Sequence, residues 1–224
     1  MPVHVAHVTA TDTVRLVNSR YRTPLIPHNA ESVVGTDPAM LTAWIDLANA
    51  TNERVLYEHD QHTVTGAPSP ILGVSFGPVL RAAFAHSPGA DRGGARFNGP
   101  DPGHGAWYAS SDTTGAIAEV MHHQGRFLTE ARALDQDSVY DRYLADMNGT
   151  MVMIIAPEPV LLDADDYSAS QQFADKIRAD GHPAIHYPSV RSSGDNLACL
   201  VPAIVQNIRR DGQVTLQWRN GAWA

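Results

Sequence analysis

One short run, residues 150–156 (TMVMIIA), constrains the fold of this chain more than any other feature of the sequence. It is apolar after its first residue, carries β-branched valine and isoleucine, and is shorter than a typical helix. Such a run predicts a buried β-strand. Around it, helix and strand candidates are interspersed without a regular strand–helix–strand period, which predicts an α+β fold.

The other predicted elements are marked by apolar patterns or by helix caps. Further strands are predicted within the ranges 71–84, 105–110, 159–163, 183–187 and 214–218. Helices are predicted after Asp37-Pro38, where aspartate caps and proline fits the first turn, and after Asp112. A third helix is predicted to begin at Asp166 or Ser168 and to end before Gly181.

The composition limits the class of protein. With 224 residues, of which 43% are hydrophobic, the chain is long enough to bury one sizeable core. We expect one domain over 1–224, with a partly helical N-terminal portion (1–70) and a core (71–224). The net charge of -8 argues against a nucleic-acid surface, although a nucleotide site needs only one or two local cations.

Cysteine usage and hydropathy bear on the compartment. Cys199 is the single cysteine, so the chain forms no internal disulfide, and its apolar surroundings predict a core residue instead of a nucleophile. No basic and apolar leader opens the sequence, and no apolar run is long enough to span a bilayer. The expectation is a soluble cytoplasmic protein without a membrane segment.

Two runs, together with a glutamate that follows the second of them, predict ligand chemistry. The run GGARFN (93–98) combines glycines, which let a loop approach a ligand, with Arg96, which can grip a phosphate through two N–H bonds. In the run WYASSD (107–112), Trp107 and Tyr108 point to opposite faces of a strand, so that one can face a ligand. Glu119 lies on the less apolar side of its helix and faces either solvent or a cleft.

A metal site is a weaker interpretation of the same helix. Glu119 with His122 forms an ExxH pair, and His123 follows it. Carboxylate-bridged metal sites that use this pair need a second copy of it, and the sequence has none. We therefore predict no metal.

Hydroxyl and amide groups are concentrated in the run YPSVRSSGDN (187–196). A strand that ends at proline and enters a Ser/Gly/Asn loop places such groups at a sheet edge, which is a common binding location. No GxSxG elbow surrounds Ser189, so a serine hydrolase is not favoured. Ser168, in the run YSASQ (167–171), either starts a helix or belongs to a site.

Taken in order, five runs resemble the RES domain, a family named for its arginine, glutamate and serine. They are GGARFN, WYAS, AIAEVMHH, SQQFADKI and YPSVRSSGDN, and the resemblance covers residues 79–202. The upstream runs RLVNSRYRTPL and LANATNER also resemble longer bacterial members. Each run is short, and their shared order and spacing carry the resemblance.

The resemblance implies a fold, an activity and a partner. RES proteins have an ADP-ribosyltransferase-like mixed β-sheet core with flanking helices, here joined by an N-terminal helical portion. They are toxins that degrade NAD, their substrate, by hydrolysis or phosphorolysis, with no further cofactor. At least one member modifies a protein with ADP-ribose. Their partner is an antitoxin with an Xre-like DNA-binding domain, and homodimers are common.

The resemblance also assigns candidate site residues by motif. The catalytic set is expected to be Glu119, Arg96, Tyr108 and Ser189. The substrate-binding set is expected to be Arg81, Arg20, Ser168 and Asn196. Within these sets, Arg20 competes with Arg81 for an early family arginine. Some members place the functional serine at the position of Ser168 instead of Ser189.

A mechanism follows from these assignments as a hypothesis. Cleavage of the nicotinamide–ribose bond develops positive charge on the sugar, which Glu119 would stabilise, and the neutral leaving group needs no general acid. Arg96 would bind pyrophosphate, Tyr108 would stack on nicotinamide or ribose, and Ser189 would orient the substrate. The acceptor is water, phosphate or a protein. A mono-ADP-ribosyltransferase and a non-catalytic nucleotide-binding module are the alternatives.

Overall fold

The structure is a computed structural model that describes residues 3–21, 37, 39–40, 77–85, 93–99, 105–155 and 158–224. Within these ranges the chain forms an α+β protein in which strands outnumber helices. The elements, in chain order, are β1 (Val5–Asn18), a 3-10 helix (Ser19–Tyr21), α1 (Gly77–Ala85), β2 (Trp107–Ser110), α2 (Thr113–Glu130), β3 (Gln136–Met153), α3 (Ser168–Ala179), β4 (Ala184–Pro188), β5 (Asp195–Cys199), a 3-10 helix (Pro202–Ile204), β6 (Val205–Arg219) and β7 (Ala222–Trp223).

These strands form one 7-stranded sheet in the order β1-β2-β5-β4-β3-β6-β7. A further pairing joins β1 to β3 along most of their length, from Val5 opposite Val152 to Asn18 opposite Tyr140. The β3–β4 pair is parallel, and the other pairs are antiparallel. The predicted α+β class with a mixed sheet and flanking helices is therefore confirmed.

The sheet separates two apolar clusters. Trp107 lies in the cluster that α1 covers, together with Leu80 and Met147. Tyr108, the next residue, packs against the other cluster, which includes Phe97 and the α3 residue Ile177. The two aromatic residues of β2 thus point to opposite faces, as the period of a strand predicts.

Several local predictions are confirmed. β2, β4 and β6 cover most of the predicted runs 105–110, 183–187 and 214–218. β3 includes the first four residues of the run 150–156 and ends at Met153. Asp112 is the N-cap of α2, because its carboxylate accepts a hydrogen bond of 2.7 Å from the Gly115 N–H.

Two predicted strands are wrong. Residues 77–84 of the run 71–84 form most of helix α1, in which Pro78 stands in the first turn, where its missing N–H costs nothing. The run 159–163 is a turn, since the N–H groups of Leu161 and Leu162 both donate to the Glu158 carbonyl at 2.9 and 3.0 Å. Prolines on both sides of Glu158 in the sequence remove donors that a strand would need.

The N-terminal portion contributes a strand that the sequence patterns did not reveal. β1 lies within the same sheet as the core, alongside β3. Asp37 begins a helix as predicted, since its carboxylate accepts a hydrogen bond of 2.9 Å from the Ala39 N–H. The rest of that helix lies outside the described residues. The division at residue 70 therefore stays a prediction.

Cys199 is fully buried on β5, with its sulfur 3.2 Å from that of Met147. Burial raises the pKa of its thiol to about 12. We therefore expect no reaction of the native protein with Ellman's reagent at pH 8, because neither access nor thiolate is available. After denaturation in guanidinium chloride, one thiol per chain should react. Rapid labelling of the native protein would contradict the burial.

In the described part of the chain, no helix has both the length and the apolar character required to cross a lipid bilayer.

Candidate active site

Glu119 lies on α2 with its side chain only 26% exposed, facing the loop between β4 and β5. Its Oε1 atom accepts hydrogen bonds from the Ser189 hydroxyl at 3.2 Å and from the Asn196 amide at 2.9 Å. Among the described residues, Oε2 accepts no hydrogen bond. Glu119 is therefore not a freely solvated surface residue, because its side chain is partly buried against this loop and β5.

Asn196 holds the carboxylate from within the sheet. It is 2% exposed on β5, directly opposite Ser110 of β2. The Ser110 hydroxyl donates to Asn196 Oδ1 at 2.7 Å, and this bond turns the amide nitrogen toward Glu119. The orientation of the carboxylate is therefore set by a chain of hydrogen bonds that begins in the core.

Ser189 has the geometry of an orienting group. Its Oγ accepts hydrogen bonds from the N–H groups of Arg191 and Ser192, both at 3.1 Å, and donates to Glu119. Both the lone pairs and the proton of the hydroxyl are engaged, which leaves no arrangement for nucleophilic attack.

Ser168 lies elsewhere. It is exposed at the first position of α3, where its N–H donates to Asp166 Oδ1 at 2.9 Å. Hydrogen bonds from Ser168 lower the pKa of Asp166, as expected at a helix start. The structure thus brings Ser189, and not Ser168, to Glu119.

Arg96 is 7% exposed and lies on a tight turn closed by hydrogen bonds between Ala95 and Asn98. Its Nη1 donates to the carbonyls of Leu161 at 3.2 Å and Asp163 at 2.7 Å. Its guanidinium lies 4.7 Å from the centre of the Tyr167 ring. Arg96 therefore joins its own turn to the segment that precedes α3.

Tyr108 supports that turn from the sheet. Its hydroxyl donates to Asn98 Oδ1 at 2.6 Å and accepts from the Phe97 N–H at 3.0 Å. Burial raises the pKa of the Tyr108 phenol far above its ordinary value, so the group stays neutral. The hydroxyl is thus occupied in fixing the turn that carries Arg96.

Arg191 is a residue that the motif assignments missed. Its side chain is 8% exposed, and its Nε lies 3.6 Å from Glu119 Oε2. Its Nη2 donates to the Ala164 carbonyl at 2.8 Å and to the Tyr167 hydroxyl at 3.3 Å. It stood in the run YPSVRSSGDN, two residues after Ser189, where the only available signal was a lone arginine among small polar residues.

Arg20 and Arg81, the two arginines of the predicted substrate-binding set, lie on different elements. Arg20 is exposed in the first 3-10 helix, and its backbone N–H donates a hydrogen bond of 3.1 Å to Asn18 Oδ1. Its side chain forms no ion pair with the described residues of the site. Arg81 lies on α1, and its side chain lies outside the described residues.

Among the described residues, no group of three or more His, Cys, Asp or Glu side chains is placed to hold a metal ion. The rings of His122 and His123 meet edge to face at 5.2 Å. Burial, followed by the charge of Arg191, lowers the pKa of His122. The described part of the chain thus adds no support for the metal interpretation.

The site is therefore a half-buried carboxylate at the junction of α2, β5 and the β4–β5 loop, bordered by two buried arginines. A family model described as the RES domain matches residues 71–219. This match spans most of the chain, so the protein belongs to the RES-domain family, as the order of its motifs predicted.

The chain is similar to a chain in the crystal structure of the M. tuberculosis MbcT-MbcA toxin-antitoxin complex, with 17% identity and a TM-score of 0.43. The similarity covers 59% of this chain and 77% of that chain. No curated protein matches the sequence.

Proposed function

We propose that this protein is a toxin that cleaves the bond between nicotinamide and ribose in NAD, thereby depleting NAD and arresting growth. Membership of the RES family supports the general activity. The observation that carries the proposal is the state of Glu119: Oε1 is held by two neutral donors, while Oε2 accepts no hydrogen bond from the described residues. Such a carboxylate is oriented in advance and keeps one oxygen for substrate.

The chemistry needs one such oxygen. When the bond from ribose C1′ to nicotinamide breaks, its electron pair leaves with nicotinamide, which departs neutral, and the sugar gains oxocarbenium character. Glu119 Oε2 would stabilise that positive charge or hold a ribose hydroxyl. A water oxygen then bonds to C1′ and releases a proton, which yields ADP-ribose and free nicotinamide. A phosphate in place of water would yield the phosphorylated sugar.

The first test is incubation of purified protein with NAD, followed by chromatography. We expect wild-type protein to release nicotinamide and Glu119→Gln to release it about 100-fold more slowly, because the amide lacks the stabilising charge. Glu130→Gln, an exposed change at the end of α2, is the matched control and should keep full activity. Cells that express Glu119→Gln should keep growing under conditions in which expression of the wild-type protein arrests growth.

The products distinguish the remaining interpretations. Intact NAD in the wild-type reaction would contradict the proposal, and binding of NAD without turnover would favour a non-catalytic module. Label from radioactive NAD on a protein band would favour a mono-ADP-ribosyltransferase. The choice between water and phosphate is made by adding inorganic phosphate and identifying the sugar product.

The proposed partner is an Xre-like antitoxin, which the family resemblance implies. A protein that consumes NAD needs such a control in its own cell, and an antitoxin that covers Glu119 would provide it. The similar M. tuberculosis structure is itself described as a toxin-antitoxin complex. Homodimer formation stays a prediction.

A further inference from the structure

Two buried arginines meet at one aromatic side chain, Tyr167, which no motif assignment included. Arg96 lies over its ring at 4.7 Å, and Arg191 donates to its hydroxyl at 3.3 Å. The two guanidinium groups come from distant parts of the chain, the turn before β2 and the loop before β5. Tyr167 therefore holds two positive charges at a common position beside Glu119.

The hydrogen bonds of Arg191 are incomplete. Its side chain is 8% exposed, and its Nε and Nη1 atoms are buried without a hydrogen-bond partner among the described residues. Glu119 Oε2 lies 3.6 Å from Nε, which is beyond hydrogen-bond distance. Buried N–H groups of a charged side chain are costly to leave unpaired, so this arrangement favours a further acceptor beyond those that the described residues supply.

The charges point to the nature of that acceptor. Within 4.0 Å of these two guanidinium groups, the described residues supply one carboxylate, that of Glu119. Asp163 is exposed to solvent, and its carboxylate already accepts hydrogen bonds from the N–H groups of Asp165 and Asp166. Two buried cations against one half-buried carboxylate leave positive charge uncompensated in a chain whose net charge is -8. A buried charge without a counter-ion favours an anionic ligand.

We propose that Arg191 and Arg96, held together by Tyr167, form a subsite for phosphate oxygens, with Arg191 supplying its unpaired N–H groups to the ligand. A guanidinium suits this task because its planar fork binds two phosphate oxygens at once. The identity of the anion rests on the proposed function, in which it is the pyrophosphate of NAD. Free phosphate, the other source of the same chemistry, would enter as the acceptor of the sugar.

The test is a calorimetric comparison of ADP-ribose with adenosine, which lacks phosphate. We expect Arg191→Gln to weaken ADP-ribose at least 10-fold and adenosine less than 2-fold, with Arg191→Lys between wild type and Arg191→Gln. Arg126→Gln is the matched control, because Arg126 is exposed on α2 and pairs with exposed Asp165. It should bind both ligands as wild type does.

Other outcomes overturn the inference. Equal losses for ADP-ribose and adenosine would mean that Arg191 only supports the fold. If Arg191 and Arg96 bind phosphate, inorganic phosphate should weaken the binding of ADP-ribose and not that of adenosine. The opposite result would mean that phosphate binds away from these two arginines. If Arg191→Gln fails to fold, the alternative measurement is an NMR titration of wild-type protein labelled with ¹⁵N-arginine, in which the Nε–H resonance of Arg191 is assigned and followed. That resonance must shift on titration with inorganic pyrophosphate, and an unchanged resonance would overturn the proposal.

This test is independent of catalysis. ADP-ribose is a product of the proposed reaction and binds without being consumed. Selective loss of ADP-ribose binding in Arg191→Gln, in a protein that leaves NAD intact, would refute the proposed function and keep the subsite. If the wild-type protein turns over NAD but Arg191→Gln keeps the wild-type preference for ADP-ribose over adenosine, the proposed function stands and the subsite is refuted.

Discussion

Replacement of Gly94 by alanine is expected to lower the free energy of unfolding by about 3 kcal/mol, through backbone strain and a steric clash. Gly94 has φ +80°, a conformation that side chains with a Cβ rarely adopt. A Cβ atom there would lie against the Asn98 carbonyl oxygen and 2.7 Å from the Gly99 carbonyl carbon. Both obstacles are backbone, so the turn that carries Arg96 must open.

Gly93 supplies a matched control, since it is adjacent and also has a positive φ, +67°, but a Cβ there meets nothing within 4 Å. Gly93→Ala should lose only about 1 kcal/mol, the cost of the left-handed conformation. Urea denaturation of both variants measures the difference. Equal losses would mean that strain alone, and not the contact with Asn98 and Gly99, makes glycine necessary at position 94.

The local parts of the fold could be predicted from sequence because their signals are local. An N-cap such as Asp112 forms its bond within three residues, and the alternation of Trp107 and Tyr108 needs only the geometry of one strand. The turn at Asn220-Gly221 lies between β6 and β7, and an Asn-Gly pair is itself a local signal for such a turn. In each case the residues that decide the structure are neighbours.

Strand β1 and most of strand β3 could not be predicted in the same way, because their stability depends on distant partners. β1 carries polar residues, and its register shifts between Ala10 and Thr13, which interrupts a simple alternation. β3 contains Asp141, which is 1% exposed and accepts hydrogen bonds from Arg210 at 3.0 and 2.7 Å. A buried aspartate looks unfavourable for a strand until its partner on β6 is known.

The candidate site shows the same division. Motif order selected Glu119, Ser189 and Asn196, and the fold brings all three into one hydrogen-bonded group. Their roles stay predictions. Arg191 and Tyr167 were missed because their significance lies in contacts across three segments of the chain, which no spacing within one motif encodes.

Replacement of Asn196 by aspartate is expected to have the largest effect on the group around Glu119. The amide nitrogen that donates to Glu119 Oε1 at 2.9 Å would become an oxygen of nearly the same position, so two carboxylates would face each other. Both cannot be charged at that distance, and the pair would keep a proton at neutral pH. We expect NAD turnover to fall about 100-fold, since Glu119 would lose both its donor and part of its charge.

The pH dependence of stability separates this explanation from a simple loss of packing. A retained proton means that the apparent pKa of the pair in the folded variant lies above its unfolded value of about 4. The folded variant then binds more protons than the unfolded chain, so its stability falls as pH rises through the raised pKa. Relative to wild type, Asn196→Asp should lose about 3 kcal/mol at pH 8 and progressively less toward pH 5.

Thermal or urea unfolding across that pH range measures the difference, and Asn148→Asp, an exposed change on β3, controls for the added charge. The control should show little loss at any pH, because its carboxylate stays in water. A loss in Asn196→Asp that does not depend on pH would mean that its carboxylate turns away from Glu119. In that variant, Ser189 alone would hold Glu119 Oε1.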